Sequence, residues 1–181
     1  MRRFSAPWDQ PLLLSTVFLL AVLLIGAVAG FSTAAAVDMR GVAAAVAVVA
    51  GGTATGAWAL APRGFEVGGG TLRILRNGWP GTAIPLSDVR SAGVIAPDAL
   101  RGAFHLVGVG GLFGSYGLVR SPALGRVRLD ATRSEGLVLV RTGGGAHVLT
   151  PDRPGEFVDA ILAAAPGARR ELRRLQPPQL P

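Results

Sequence analysis

The sequence predicts a two-helix membrane hairpin followed by a mainly-β domain that one C-terminal helix closes. Three observations carry this. Two uncharged runs, Leu12–Phe31 and Gly41–Ala61, are 20 and 21 residues long, and at about 1.5 Å per residue each reaches across the ~30 Å hydrocarbon layer of a bilayer. After Ala61 the pattern changes to short apolar runs broken by Gly, Pro, Asn and Asp, as in a domain of short strands and turns. Near the end, Phe157, Val158, Ile161, Leu162 and Ala165 make one apolar stripe at helical spacing.

The chain has 181 residues, 50% of them hydrophobic, which leaves room for one membrane part and one small domain. Its formal charge of +7 comes from arginine alone, because the sequence contains no lysine. Cysteine is absent, so disulfides, thiolate nucleophiles and cysteine metal sites are excluded together. The predicted divisions are a hairpin over 1–62 with helices at about 12–31 and 41–61, a β domain over 63–167, and a basic, Pro-rich tail over 168–181.

The first eleven residues read as a polar start carrying Arg2, Arg3 and Asp9. A cleaved signal peptide is the competing reading, with Ala34, Ala35 and Ala36 as the small-residue site, yet the apolar run exceeds the ~7–15 residues of such a segment. Ser32–Arg40 is a nine-residue connector with one Asp and one Arg. Arg2 and Arg3 precede the first run and Arg63, Arg73 and Arg76 follow the second, so the positive-inside rule puts both termini and the β domain on the cytoplasmic side. Each run carries a Gly-xxx-Gly pair, Gly26 with Gly30 and Gly52 with Gly56, a spacing that permits close helix approach. In an antiparallel hairpin these pairs lie at different depths, and Gly26 and Gly30 face the alanines between Ala43 and Ala47.

A three-residue linker, Pro62–Gly64, leads into strands at Phe65–Val67 and Thr71–Arg76. Asn77-Gly78 then suggests a tight hairpin into Trp79–Leu86, with Pro80 and Pro85 keeping that strand at an edge. Ser87–Ile95 reads as the next strand and Pro97-Asp98 as a turn. Over Gly125–Ala131 the residues alternate, Val127, Leu129 and Ala131 on one side and Arg126, Arg128 and Asp130 on the other, which is a half-buried strand. Leu137–Val140 is a continuous apolar run, hence a central strand, and Gly143–Gly145 turns it into His147–Thr150. Asp152 is placed to cap the final helix, with Pro154 in its first turn.

Candidate chemistry is sparse. The Gly-rich stretch Gly108–Gly117 suggests a phosphate cradle, but Phe113 stands where the third glycine of the dinucleotide fingerprint belongs. It reads instead as a long connection folded over the β core, with Leu112, Phe113 and Tyr116 packing beneath it or dipping into the membrane interface. His105 and His147 have no second ligand at metal spacing, and the serines lack a nucleophile-elbow context. The sequence therefore points to no enzyme, no cofactor and no metal. Arg73, Arg76, Arg126 and Arg128 are diluted by Glu66, Asp88 and Asp130, and too few aromatics are present for a nucleic-acid platform.

The order of these elements, together with Ile84–Val89, the Gly110–Gly117 stretch and the helix start Thr150–Phe157, resembles the bacterial pleckstrin-homology-like (PH-like) domain family over about Gly64–Ala165. The resemblance implies a PH-like β-barrel or sandwich of two sheets with a capping helix, anchored in a bacterial inner membrane by the hairpin. It implies no catalysis. PH domains that bind phosphoinositides cluster basic residues around the first hairpin, where this chain has Arg73 and Arg76. The expected role is protein interaction or scaffolding at the cytoplasmic face, with another membrane or cytoplasmic protein as partner. Sensing of anionic lipid is the alternative, and Arg63, Arg73, Arg76, Leu112, Phe113 and Tyr116 are the expected interaction residues.

Overall fold

In the computed structural model, which describes residues 1–36 and 40–171, two long helices come first. α1 spans Gln10–Ala36 and α2 spans Arg40–Leu60. Both are long and apolar enough to cross a membrane, and their large side chains, among them Leu14, Phe18, Leu24, Ile25 and Val48, are exposed. A methyl group added to Gly30 would lie 3.3 Å from Val46, so the helices approach closely where the sequence placed the alanine-rich segment. Among the described residues, nothing lies within 4 Å of such a group on Gly26, Gly52 or Gly56. The connector's Asp38, the tail's Arg173 and Arg174, and Pro177–Pro181 lie outside the described residues.

The polar start is not a free segment. Arg2–Ser5 forms a strand, β1, that pairs antiparallel with β2 (Pro62–Gly68), placing Phe4 opposite Phe65. β2 begins directly after α2, which removes the expected linker. β3 (Thr71–Arg76) and a short β4 (Thr82–Pro85) complete a four-stranded sheet in the order β1-β2-β3-β4. Asn77-Gly78 is not a two-residue hairpin turn: the β3–β4 ladder stops at Ile74 opposite Thr82, and after Arg76 the chain leaves the sheet, Asn77 and Gly78 meeting the end of α2.

The second sheet has seven strands. β5 is Val89–Ile95, entered through a 3₁₀ turn at Leu86–Asp88, and a second 3₁₀ turn covers Pro97–Leu100. β6 (Phe104–Gly110) and β7 (Ser115–Ser121) form a hairpin, so the Gly-rich stretch is strand, tight turn and strand rather than a long connection. The glycines are needed where the strands cross: a Cβ on Gly108 would sit 2.1 Å from the Tyr116 carbonyl oxygen, and one on Gly117 2.1 Å from that of Val107. β8 (Gly125–Ala131), β9 (Leu137–Thr142), β10 (Gly145–Leu149) and a two-residue β11 (Arg169–Arg170) complete the order β11-β5-β9-β10-β8-β7-β6.

The two sheets form a sandwich and do not close into a barrel. Phe4, Phe65, Leu72 and Ile74 meet Val138, Val140 and Leu149 across it. α3 (Pro154–Ala164) inserts Phe157, Val158 and Ile161 into this core, and Phe157 contacts Phe4 edge-on at 5.0 Å. Arg153, not Asp152, occupies the N-cap, and no side chain caps the helix. The apolar run of β9 follows from burial on both faces. Val138 and Val140 point into the first core, Leu137 and Leu139 into a second with Val119, Val127 and Val148.

Candidate functional site

The junction between the helices and the β domain gathers most of the molecule's buried polar groups. An α-helix leaves its last four carbonyls without intrahelical donors. At α2 these are Ala57, Trp58, Ala59 and Leu60, and the β domain serves each of them. The Tyr116 hydroxyl donates to Ala57 O at 2.6 Å, Asn77 Nδ2 to Trp58 O at 3.1 Å, the Gly78 amide to Ala59 O at 3.0 Å, and Arg76 to Leu60 O. A cation at this position also opposes the negative end of the helix dipole.

Arg76 is buried and donates through Nη2 to Asp130 Oδ1 at 2.7 Å. Asp130 is 0% exposed, although its place in the β8 alternation suggests the solvent face. That face is covered here by α2's end and by Arg76. Desolvation pushes the Asp130 carboxyl up from its ordinary value, and the charge of Arg76 pulls it back only in part. Burial likewise raises the Tyr116 hydroxyl.

At the base of α1, Asp9 accepts from the Leu12 amide at 2.9 Å and from the Ser134 amide and hydroxyl at 2.8 and 2.9 Å. It therefore caps the helix and ties it to the β8–β9 loop. Burial alone would raise its pKa, but the hydrogen bonds from Ser134 and Leu12 outweigh that and hold it below the ordinary value. Ser15 and Thr16 donate to the Gly111 carbonyl at 2.9 and 3.2 Å, and the Phe113 amide donates to Thr16 Oγ1 at 3.1 Å. Phe113 has φ +59°, an unusual conformation for a bulky residue, and its ring lies 6.0 Å from that of Trp8.

The expected interaction residues thus divide. Arg76 and Tyr116 meet at the end of α2, while Leu112 and Phe113 seat the β6–β7 turn against α1, with Leu112 buried. Arg63 and Arg73 stand apart and exposed, Arg73 opposite Glu66, which pairs with Arg3 at 3.1 Å. His147 is half-buried, and burial followed by the Arg128 charge lowers its pKa. Among the described residues no group of three His, Asp or Glu side chains could hold a metal. A cleft of about 580 Å³ opens between α2's end, Trp79 and the β6–β7 hairpin.

Sequence reasoning missed the tryptophans. All three in the chain lie at this junction: Trp8 just before α1, Trp58 in the last turn of α2, and Trp79 beside the Asn77-Gly78 loop. They are 43%, 48% and 61% exposed. Tryptophans flanking apolar helices are the signal that could have found them, since these rings favour membrane–water interfaces.

A model of the bacterial PH domain matches residues 63–165. The chain belongs to the bacterial PH domain family. Neither a search of curated proteins nor a search of solved structures finds a match. The matched region starts within β2 and ends one residue past α3, so β1, the helical hairpin and β11 lie outside it. PH-like domains are generally non-catalytic interaction modules.

Proposed function

We propose that this chain is a membrane-anchored, non-catalytic PH-like module that holds a protein-binding face at a fixed position on the cytoplasmic side of a bacterial inner membrane. The observation that carries this reading is the seating of α2, whose four terminal carbonyls all accept hydrogen bonds from the β domain. A tether that only restricted diffusion would not need such a joint. The three interfacial tryptophans and the arginines flanking the helices support the same placement.

The face offered to a partner is β6. It ends the seven-stranded sheet and exposes Phe104, Leu106 and Val107, the last at 72%. Arg120 lies opposite Phe104 and Arg126 opposite Arg120, so an apolar strip borders a basic one and suits an extended acidic segment of another protein. β6 runs toward the helices and ends at the turn held by Ser15 and Thr16. Antiparallel pairing with a second copy would therefore send the two hairpins in opposite directions. A photo-crosslinker at position 107, in membranes of the native host, should give a discrete heterologous adduct that the same probe at position 73 does not. Monomer alone at both positions would overturn the reading.

Anionic headgroup sensing is the second reading, favoured by exposed Arg63, three residues beyond the end of α2. Burial of Arg76 against Asp130 leaves it fewer cations. Identical hydrogen exchange around Arg63 in neutral and anionic nanodiscs would count against it.

A further inference from the structure

At the end of the seven-stranded sheet opposite β6, the outer strand is β11, which lies beyond the region matched by the family. It is parallel to β5, with Arg169 opposite Ser91 and Arg170 opposite Ala92. Both of its residues are exposed. The contacts that hold it concentrate on the next residue. The Glu171 amide donates to Ala92 O at 2.9 Å. Its carboxylate accepts from Ser91 Oγ at 2.7 Å and from Arg141 Nε at 3.1 and 3.2 Å.

Ser91 and Arg141 are cross-strand partners in β5 and β9, beside an irregularity between Val89 and Ser91, so the sheet itself sets the two donors side by side. Arg170 pairs with Asp159 on α3. Gly93 provides clearance: a Cβ there would stand 2.2 Å from the Glu171 carbonyl oxygen. The edge thus combines backbone pairing, a seat for one carboxylate, a contact from α3 and a glycine gap. These are the parts needed to bind an extended peptide by strand addition.

We propose that the β5–α3 edge is a peptide-binding groove that reads a glutamate in an extended segment, that Arg169–Glu171 fills it in cis, and that a glutamate-bearing segment of a second protein takes it when the chain's own segment leaves. The resident segment defines the ligand chemistry: main-chain hydrogen bonding plus one carboxylate between Arg141 and Ser91. Exchange is feasible because, among the described residues, the segment holds the edge through two ladder pairs and the Glu171 amide, and Arg141 is partly exposed, which places the segment at the low-stability end of local opening. The groove is separate from β6, and its test is independent of any partner on that face.

The test compares the full chain with a chain ending at residue 167, both in nanodiscs, using a fluorescent peptide of residues 166–176 and anisotropy. The shortened chain should bind the peptide saturably, and the full chain about tenfold or more weakly because its own segment competes. Glu171→Gln in the peptide, or Arg141→Ala in the shortened chain, should weaken binding by about tenfold. No saturable binding by a shortened chain that keeps its melting temperature would overturn the proposal, as would equal binding of a scrambled peptide. If the shortened chain fails to fold, the full-length Arg141→Ala variant decides. Its Glu171 amide should exchange about tenfold faster than in the parent, and unchanged exchange would overturn the proposal.

Discussion

At the base of α1 an aspartate is held by neutral donors, and at the base of α2 an aspartate is held by a cation. Asp9 is partly exposed and takes hydrogen bonds from Leu12 and Ser134, which stabilise its charged form. Asp130 is fully buried, and the desolvation it suffers is only partly offset by Arg76. The α1 joint is therefore a local cap whose loss water can partly repair. The α2 joint is a buried pair, with Arg128 Nε a further 3.9 Å from the second Asp130 oxygen, and removing Asp130 strands Arg76 out of reach of water.

Five measurements on protein in detergent micelles, by reversible unfolding, would break or sharpen this contrast. Asp130→Ala should have the largest effect, about 3–5 kcal/mol, because Arg76 is left buried and unpaired. Replacing both partners together, Arg76→Met with Asp130→Leu, should recover much of that loss; a double variant as unstable as the single one would mean that the Arg76 contact with Leu60 dominates. Asp9→Ala should cost about 1–2 kcal/mol, the scale of an N-cap with one further hydrogen-bonded group. A cost equal to that of Asp130→Ala would erase the distinction between the joints.

Tyr116→Phe removes only the hydroxyl that serves Ala57 O and should cost about 1 kcal/mol. The smallest signal is in the pH profile. The folded pKa of Asp9 lies below its unfolded value of 3.8, so its contribution is present above 3.8 and lost as pH falls through the folded pKa. Asp130 has the opposite sign: its raised pKa favours the folded state at low pH, and this is lost as pH rises through that value. Asp9→Asn should accordingly flatten the acid limb of the stability curve below 3.8, and an unaltered limb would show that Asp9 is not held as described.

What could be read from the sequence was what depends on near neighbours. The two helices, the alternation in β8, the double burial of β9 and the apolar stripe of α3 all follow from local spacing. What could not be read depends on partners distant in the chain. Arg2–Ser5 carries too little pattern to declare itself a strand, and its partner lies some sixty residues later. Glycine's poor strand propensity hid the β6–β7 hairpin, since the demand for Gly108 and Gly117 comes from the opposing backbone. Arg76 and Asp130 read as surface charges because strand alternation says which side a residue faces, not what covers that side. The expected residues Tyr116 and Leu112 were noticed as apolar members of a glycine-rich run, while their part in receiving the helices needed the helix ends to be in place.

The pairing of β1 with β2 bears on how the protein is made. Phe4 leaves the ribosome before either apolar helix, yet its partner Phe65 is synthesised only after both. The sheet can then be completed only if the first residues wait on the side where the β domain will emerge, which requires the intervening chain to cross the bilayer an even number of times or not at all. In a membrane, a chain in which one of the two helices crossed alone would leave the outer strand of the four-stranded sheet on the far side from β2.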